Sequence, residues 1–399
     1  MYLIYIIQII LIILLGLPLL YLCILSFSAL TYRKKSENGK IAPHRQFAIV
    51  IPAYNEEQVI SSLMVDLRKI NYPSANYDVF VIADNCTDKT AEVVRQFEFT
   101  VLERHDLQKR GKGHALHWGI NQILVKPHSY DAVVILDADS HIYPNLLDVM
   151  NSHMEKGAEV IQGYITLKPE PGVWSSESTR LGYTLNNYVR ALGRKKLGFP
   201  TTLKGLGMCF STNVLTDNPW EAYSLTEDLE YGLQLLLKDI DAVFAPEVIG
   251  YALTPKDPRN AASQRERWEM GRYPVIRKYF GELLFATLRK RSLKYFDVLI
   301  DLVIPPLVNL MGGIGILIIC NLVLWWLGYP MFGYMAIIWF CLALLGVIHV
   351  QIGLIAADAD RSLYRVFAYV PRYALWKAKI YAKAMLKGRT KEWVRTSRE

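Results

Sequence analysis

The sequence predicts an α/β domain carried on about three transmembrane helices, with amphipathic helices in the membrane interface. Three observations predict it. Residues 46–165 alternate short β-rich apolar runs with segments of helical spacing, the pattern of a parallel sheet covered by helices. Two long stretches, Met1–Tyr32 and Leu302–Ala357, carry no Asp, Glu, Lys or Arg. The segments beside the second stretch mix aromatic and aliphatic residues with regularly spaced basic ones.

In chain order, Met1–Tyr32 exceeds the roughly 20 apolar residues that a bilayer requires. It has no basic leader and no small-residue cleavage pattern, so it reads as a retained anchor. The first apolar strand is Gln46–Pro52, followed by a helical pattern over Glu56–Ile70. Tyr77–Ala83 is a second strand, Thr90–Gln96 a helix, His114–Leu124 a helix and Val133–Leu136 a third strand. Leu302–Ala357 is long enough for two spans, with Gly328-Tyr329-Pro330 as the turn between them. Tyr279–Asp301 and residues 363–388 read as helices lying in the interface. The expected layout is residues 1–32 as an anchor, 33–278 as the α/β domain, 279–301 as an interfacial helix, 302–357 as a membrane hairpin and 358–399 as a basic tail.

Charge sets the orientation. The chain carries a net +8, and residues 361–399 hold eleven basic and two acidic side chains, which leaves the rest at −1. A near-neutral body argues against nucleic acid as a partner, and a basic tail beside apolar segments suits an anionic lipid surface. Arg33, Lys34 and Lys35 follow the first span and Arg361 and Arg365 the last, so the positive-inside rule predicts a multi-pass cell-membrane protein with its α/β domain in the cytoplasm. Five cysteines without a C-x-x-C predict neither structural zinc nor a disulfide framework.

In parallel α/β sheets ligands bind beyond the carboxyl ends of the strands. Those ends read Ala53-Tyr54-Asn55-Glu56-Glu57, Asp84-Asn85-Cys86-Thr87-Asp88 and Asp137-Ala138-Asp139. Asp and Asn favour turns and caps, which accounts for one such ending more easily than for three. Two carboxylates one residue apart suit Mg²⁺ or Mn²⁺, which would neutralise charge developing on a diphosphate. Arg110-Gly111-Lys112-Gly113 precedes a helix, where glycines allow close backbone approach and Lys112 could reach a phosphate. Leu225-Thr226-Glu227-Asp228 offers an N-cap and an acidic first turn, or a general base at Asp228 with Glu227 holding its surroundings. Gln264, Arg267 and Trp268 share a helix face that could meet a diphosphate and a sugar ring.

In this order, Pro52-Ala53-Tyr54-Asn55-Glu56, Asp84, Asp137-Ala138-Asp139, Thr226-Glu227-Asp228 and Gln264-x-x-Arg267-Trp268 resemble the D, D-x-D, T-E-D and Q-x-x-R-W motifs of membrane-integrated family 2 glycosyltransferases. That group contains the cellulose, hyaluronan, chitin and poly-N-acetylglucosamine synthases, with ceramide glucosyltransferase as a relative. The resemblance covers about residues 46–275. It implies a GT-A (Rossmann-like) domain acting on a UDP-sugar, UDP-glucose or UDP-N-acetylglucosamine, with inversion at the anomeric carbon. It implies that Ala53, Tyr54, Glu56, Asp84, Lys112 and Ala138 surround the nucleotide. Asp137 and Asp139 would hold Mg²⁺ or Mn²⁺, and Asp228 would be the base beside Glu227. Gln264, Arg267 and Trp268 would meet the diphosphate and the acceptor. Asn85 stands where many relatives have a second Asp. Gly205-Leu206-Gly207-Met208-Cys209 resembles the segment near the acceptor terminus.

The expected function is elongation of a β-linked polysaccharide, with transfer of one sugar to a membrane lipid as the close alternative. Three spans are few for a chain-conducting pore, which implies a partner subunit or homo-oligomer in the first case. A non-catalytic scaffold predicts loss of carboxylates that are present here. A nucleotidyltransferase gives no reason for Gln264, Arg267 and Trp268.

Overall fold

The computed structural model describes residues 2–33, 43–125, 130–254 and 257–387. It divides into two compact units, one holding residues 169–199 together with the apolar helices, the other holding the sheet and residues 200–298.

The second unit is built on one eight-stranded mixed sheet. Its strands are β1 Phe47–Ala53, β2 Tyr77–Asp84, β3 Thr100–Arg104, β4 Ala132–Ile135, β5 Ser140–Ile142, β6 Val160–Leu167, β7 Met208–Ser211 and β8 Ala242–Ala252, in the order β3-β2-β1-β4-β7-β6-β8-β5. The three strands read from sequence are there and mutually parallel, as their fully buried apolar runs require. The expectation of a parallel sheet holds only for that half. Strand β7 runs antiparallel to both β4 and β6, and β5 pairs antiparallel with β8. Strands of three or four residues such as β5 and β7 carry too few positions to show a period.

Apolar side chains fill both faces of the sheet. One layer packs Ile49, Ile51 and Val81 with Leu63 and Met64 of the helix Ile60–Leu67, and the other packs Val50, Ile82 and Val133 with Leu116 and Ile120 of the helix Lys112–Leu124. That second helix begins at Lys112, one half-turn before the expected His114, so the lysine leaves from its first turn. Gly113 also has a packing role. A Cβ there would collide with the carbonyl oxygen of Ala222, so the glycine is required by helix packing.

Among the described residues, the first unit holds three helices long and apolar enough to cross a membrane, Leu3–Leu30, Leu307–Trp326 and Pro330–Ala356. Gly328, at φ +91°, makes the turn between the last two. Their outward side chains, Leu17 and Ile319 among them, are exposed, as suits a lipid-facing surface. Inside, Gln8 accepts a hydrogen bond from Trp339 Nε1 at 2.7 Å and donates to Asn321 at 3.1 Å, and Ser26 pairs with His349 at 2.7 Å. Residues 169–199, expected within the α/β domain, pack here instead. Gly193 admits the backbone of Leu25 at close range, and Arg190 and Arg194 both bond Asp301, at 3.0 and 3.1 Å. These residues carry no membrane-length apolar run, which is why sequence placed them elsewhere.

Two interfacial segments are more broken than expected. Tyr279–Asp301 spans the end of the helix Pro258–Lys290 and most of Leu293–Val303, with Arg291 in the left-handed region between them. Beyond the last span run Arg361–Arg365, a 3-10 turn at Val366–Tyr369 and the helix Val370–Lys387. Lys34, Lys35 and residues 388–399, used above for orientation and tail charge, lie outside the described residues.

Candidate active site

The carboxyl ends of β1, β2 and β4 carry the predicted groups. After β1, Asn55 takes φ +54°, and after β2, Asn85 takes φ +53°. Asn tolerates this left-handed turn because its short amide bonds locally. The two turns are tied together: the Thr87 N–H donates to Asn55 Oδ1 at 2.8 Å, and the Glu56 N–H donates to Thr90 Oγ1 at 2.8 Å. Ala53 is buried, and the hydroxyl of Tyr54 receives a hydrogen bond from Arg110 at 3.0 Å.

Asp84 is buried at the end of β2 and pairs with Arg104 at 2.5 Å. Burial raises its carboxyl pKa, and the guanidinium works against that rise. Asn85 donates to Asp84 Oδ1 at 2.9 Å and accepts from the Asp106 N–H at 2.8 Å. A second aspartate at this position could not donate to Asp84, so the departure noted in the sequence has a structural role. Arg104 ends β3, a strand that sequence reading did not find, and no motif marks it.

A second cluster centres on Lys112. Its ammonium meets Asp137 Oδ1 at 2.6 Å, Glu227 Oε1 at 3.4 Å and the Gly205 carbonyl oxygen at 3.1 Å. Burial disfavours the ammonium, but Asp137 and Glu227 outweigh it, so its pKa is raised. Asp228 follows Glu227 in the first turn of the helix Glu227–Leu237. Burial raises the pKa of both carboxyls and Lys112 opposes the rise. Gly205, at φ +79°, lies so near Asp228 that a Cβ on it would stand 2.9 Å from Oδ2 and 3.7 Å from Lys112 Nζ. The fold therefore brings together Lys112, Asp137, Glu227, Asp228 and Gly205 from four separate chain segments.

Ala138 is buried and Asp139 half-buried in the turn from β4 into β5. Among the described residues no three His, Cys, Asp or Glu side chains form a ready metal cage. The donor set still fits Mg²⁺ or Mn²⁺. Such ions take one or two carboxylates and draw the remaining oxygens from phosphate and water.

Gln264, Arg267 and Trp268 lie half-buried on the helix Pro258–Lys290. Thr226 Oγ1 donates to the Gly271 carbonyl at 3.2 Å, and further along Lys278 meets Glu230 at 2.7 Å. Gly271 is one turn beyond Arg267 and two beyond Gln264, so their stripe lies on the face turned to the T-E-D segment. Arg265, one turn before Trp268, places its guanidinium over the Trp268 ring at 5.7 Å. Sequence reading missed Lys204 and Gln162, which flank Gly205. An isolated Lys and a Gln within an apolar strand give no signal.

A mixed sheet with carboxylates at the ends of β2 and β4 and an acidic helix start beside them is the arrangement of a GT-A fold. The sequence pattern described as "Glycosyltransferase like family 2" matches residues 43–271, more than half of the chain, and the protein belongs to that family. The poly-beta-1,6-N-acetyl-D-glucosamine synthase of Staphylococcus epidermidis is 25% identical over 67% of this chain and 62% of its own length. The beta-monoglucosyldiacylglycerol synthase of Nostoc is 27% identical over 59% of this chain and 51% of its own. The match thus spans less than two thirds of these relatives. The mannosyltransferase of Pyrobaculum calidifontis, solved with GDP-Man and Mn²⁺, shares the fold at TM-score 0.55 and 17% identity, over 86% of this chain and 98% of that one.

Proposed function

We propose that this glycosyltransferase moves a sugar from UDP-glucose or UDP-N-acetylglucosamine to the end of a growing β-linked glycan, from the cytoplasmic face of the cell membrane. The observation that carries the reading is the convergence of Asp228, Lys112 and Asp137 beside Gly205.

The acceptor hydroxyl oxygen attacks the anomeric carbon from the face opposite the diphosphate, its proton passes to Asp228, and the bond to the diphosphate oxygen breaks with its electron pair. The raised pKa of Asp228 suits a base that must hold that proton. Glu227 keeps Lys112 beside the reacting groups. Ala53, Tyr54, Glu56 and Asp84 line the nucleoside site, and Ala138 closes it between the D-x-D carboxylates. Asp137 and Asp139 would hold Mg²⁺ or Mn²⁺, which when bound neutralises charge on the departing diphosphate. Gln264 and Arg267 meet the diphosphate, and Trp268 offers a stacking face to the acceptor sugar.

Transfer of one sugar to a membrane lipid is the second reading, favoured by the similarity to a beta-monoglucosyldiacylglycerol synthase and by the three candidate spans among the described residues. Polymer export through so few helices calls for a homo-oligomer or partner subunit. The test is UDP release by detergent-purified protein given UDP-glucose, UDP-N-acetylglucosamine, UDP-galactose or UDP-glucuronate with Mn²⁺ or Mg²⁺, with the products sized. A ladder of glycan lengths that vanishes in Asp228→Asn supports the synthase. A single sugar on added lipid selects the second reading, and no turnover with any donor and acceptor overturns both.

A further inference from the structure

Gln162 is the third residue of β6, next to Ile161, and is 3% exposed. A side-chain amide buried in a sheet is costly unless its donors and acceptor are used. Here every bond runs to main chain. Nε2 donates to the Gly163 carbonyl at 2.9 Å and the Leu206 carbonyl at 2.7 Å, and Oε1 accepts from the Lys204 N–H at 2.7 Å. One side chain therefore grips the segment 204–206 on both sides of Gly205.

That segment forms one wall around the reactive carboxylate. The Gly205 carbonyl receives Lys112, its α-carbon faces Asp228 Oδ2, and the Lys204 ammonium adds positive charge near Asp228. The sheet does not hold this wall by an ordinary ladder. Strand β7 starts only at Met208, opposite Gln162, and Gly205 and Gly207 turn at φ +79° and +69°. The amide supplies the hydrogen bonds that a longer strand would have made.

We propose that Gln162 is a positioning residue for sugar transfer, fixing the 204–206 segment so that Lys112 and Asp228 keep their places against the acceptor. The inference rests on the transfer chemistry proposed above with Asp228 as base. It predicts an effect on turnover separate from donor binding, because the clamp joins β6 to residues 204–206, whereas Ala53, Tyr54 and Asp84 stand at the ends of β1 and β2.

The test compares Gln162→Met, which conserves volume and removes all three bonds, with Gln162→Glu, which keeps an acceptor for the Lys204 N–H and loses both donors. The measurements are kcat, donor KM, UDP affinity by calorimetry and Tm in detergent. The expected result for Gln162→Met is a fall in kcat of about 100-fold, with donor KM and UDP affinity within about threefold of wild type. Unchanged kcat in a folded variant overturns the proposal. So does joint loss of kcat, UDP affinity and Tm, or failure of both variants to fold, since each makes the amide a stability element only. A wild-type protein that transfers no sugar instead overturns the functional reading on which the inference stands.

Discussion

Gly205→Ala tests whether contact with Asp228, and not backbone strain alone, makes glycine necessary beside the base. The new Cβ would lie 2.9 Å from Oδ2, about 0.5 Å inside ordinary van der Waals range. At φ +79° an alanine also carries left-handed strain of about 1–2 kcal/mol. Lys112 Nζ lies only 3.7 Å from the same Cβ position and its charge attracts the carboxylate, so relief requires moving Asp228 or the 204–206 segment by several tenths of an ångström. Misplacement on the order of 1 Å costs about 100-fold in rate, so kcat should fall roughly 10–100-fold. Gly157→Ala is the control. Gly157 has φ +85° and nothing within 4 Å of its Cβ position, so it carries the same kind of strain without the contact. UDP release and thermal unfolding of both variants separate the effects. Gly205→Ala should lose at least as much stability as the control, and only Gly205→Ala should lose turnover. Equal kcat in the two variants would refute the reasoning.

Other outcomes follow from the same geometry. Burial raises the Asp228 pKa and Lys112 holds it down, so kcat should fall as pH drops through a value above that of an ordinary aspartate. Lys112→Met should move this acid limb upward in a kcat–pH profile, and a downward move would contradict the assignment. Arg104→Ala leaves Asp84 buried without its cation and should cost about 3–5 kcal/mol in chemical denaturation, part of which Asp84→Asn should restore in the double variant. Chelation by EDTA should stop UDP release, and Mn²⁺ or Mg²⁺ should restore it in wild type but not in Asp139→Asn. Turnover in EDTA equal to that with metal would rule the ion out.

Much of the site was legible because its chemistry sits where sheets place ligands. Three apolar strands each ended in carboxylates or amides, so strand-end position singled out the segments 53–57, 84–88 and 137–139, and the family resemblance assigned roles to their residues. Lys112 was noticed for its flanking glycines, one of which turned out to serve packing against Ala222. Arg104, Gln162 and Lys204 were not legible. Arg104 works by meeting a carboxylate twenty positions earlier, and Gln162 by bonding the backbone of a segment about forty positions later. No local pattern encodes such pairs.

The sequence by itself determined which stretches could enter lipid, which runs could be buried strands and which motifs carried acid, base and cation chemistry. Those properties depend on composition and short periodicity, and both are local. Tertiary structure decided the antiparallel half of the sheet, the place of residues 169–199 among the apolar helices and the meeting of Lys112, Asp137, Asp228 and Gly205. Each of these is a long-range choice, settled by which buried polar groups find partners and which backbones approach closely enough to require glycine.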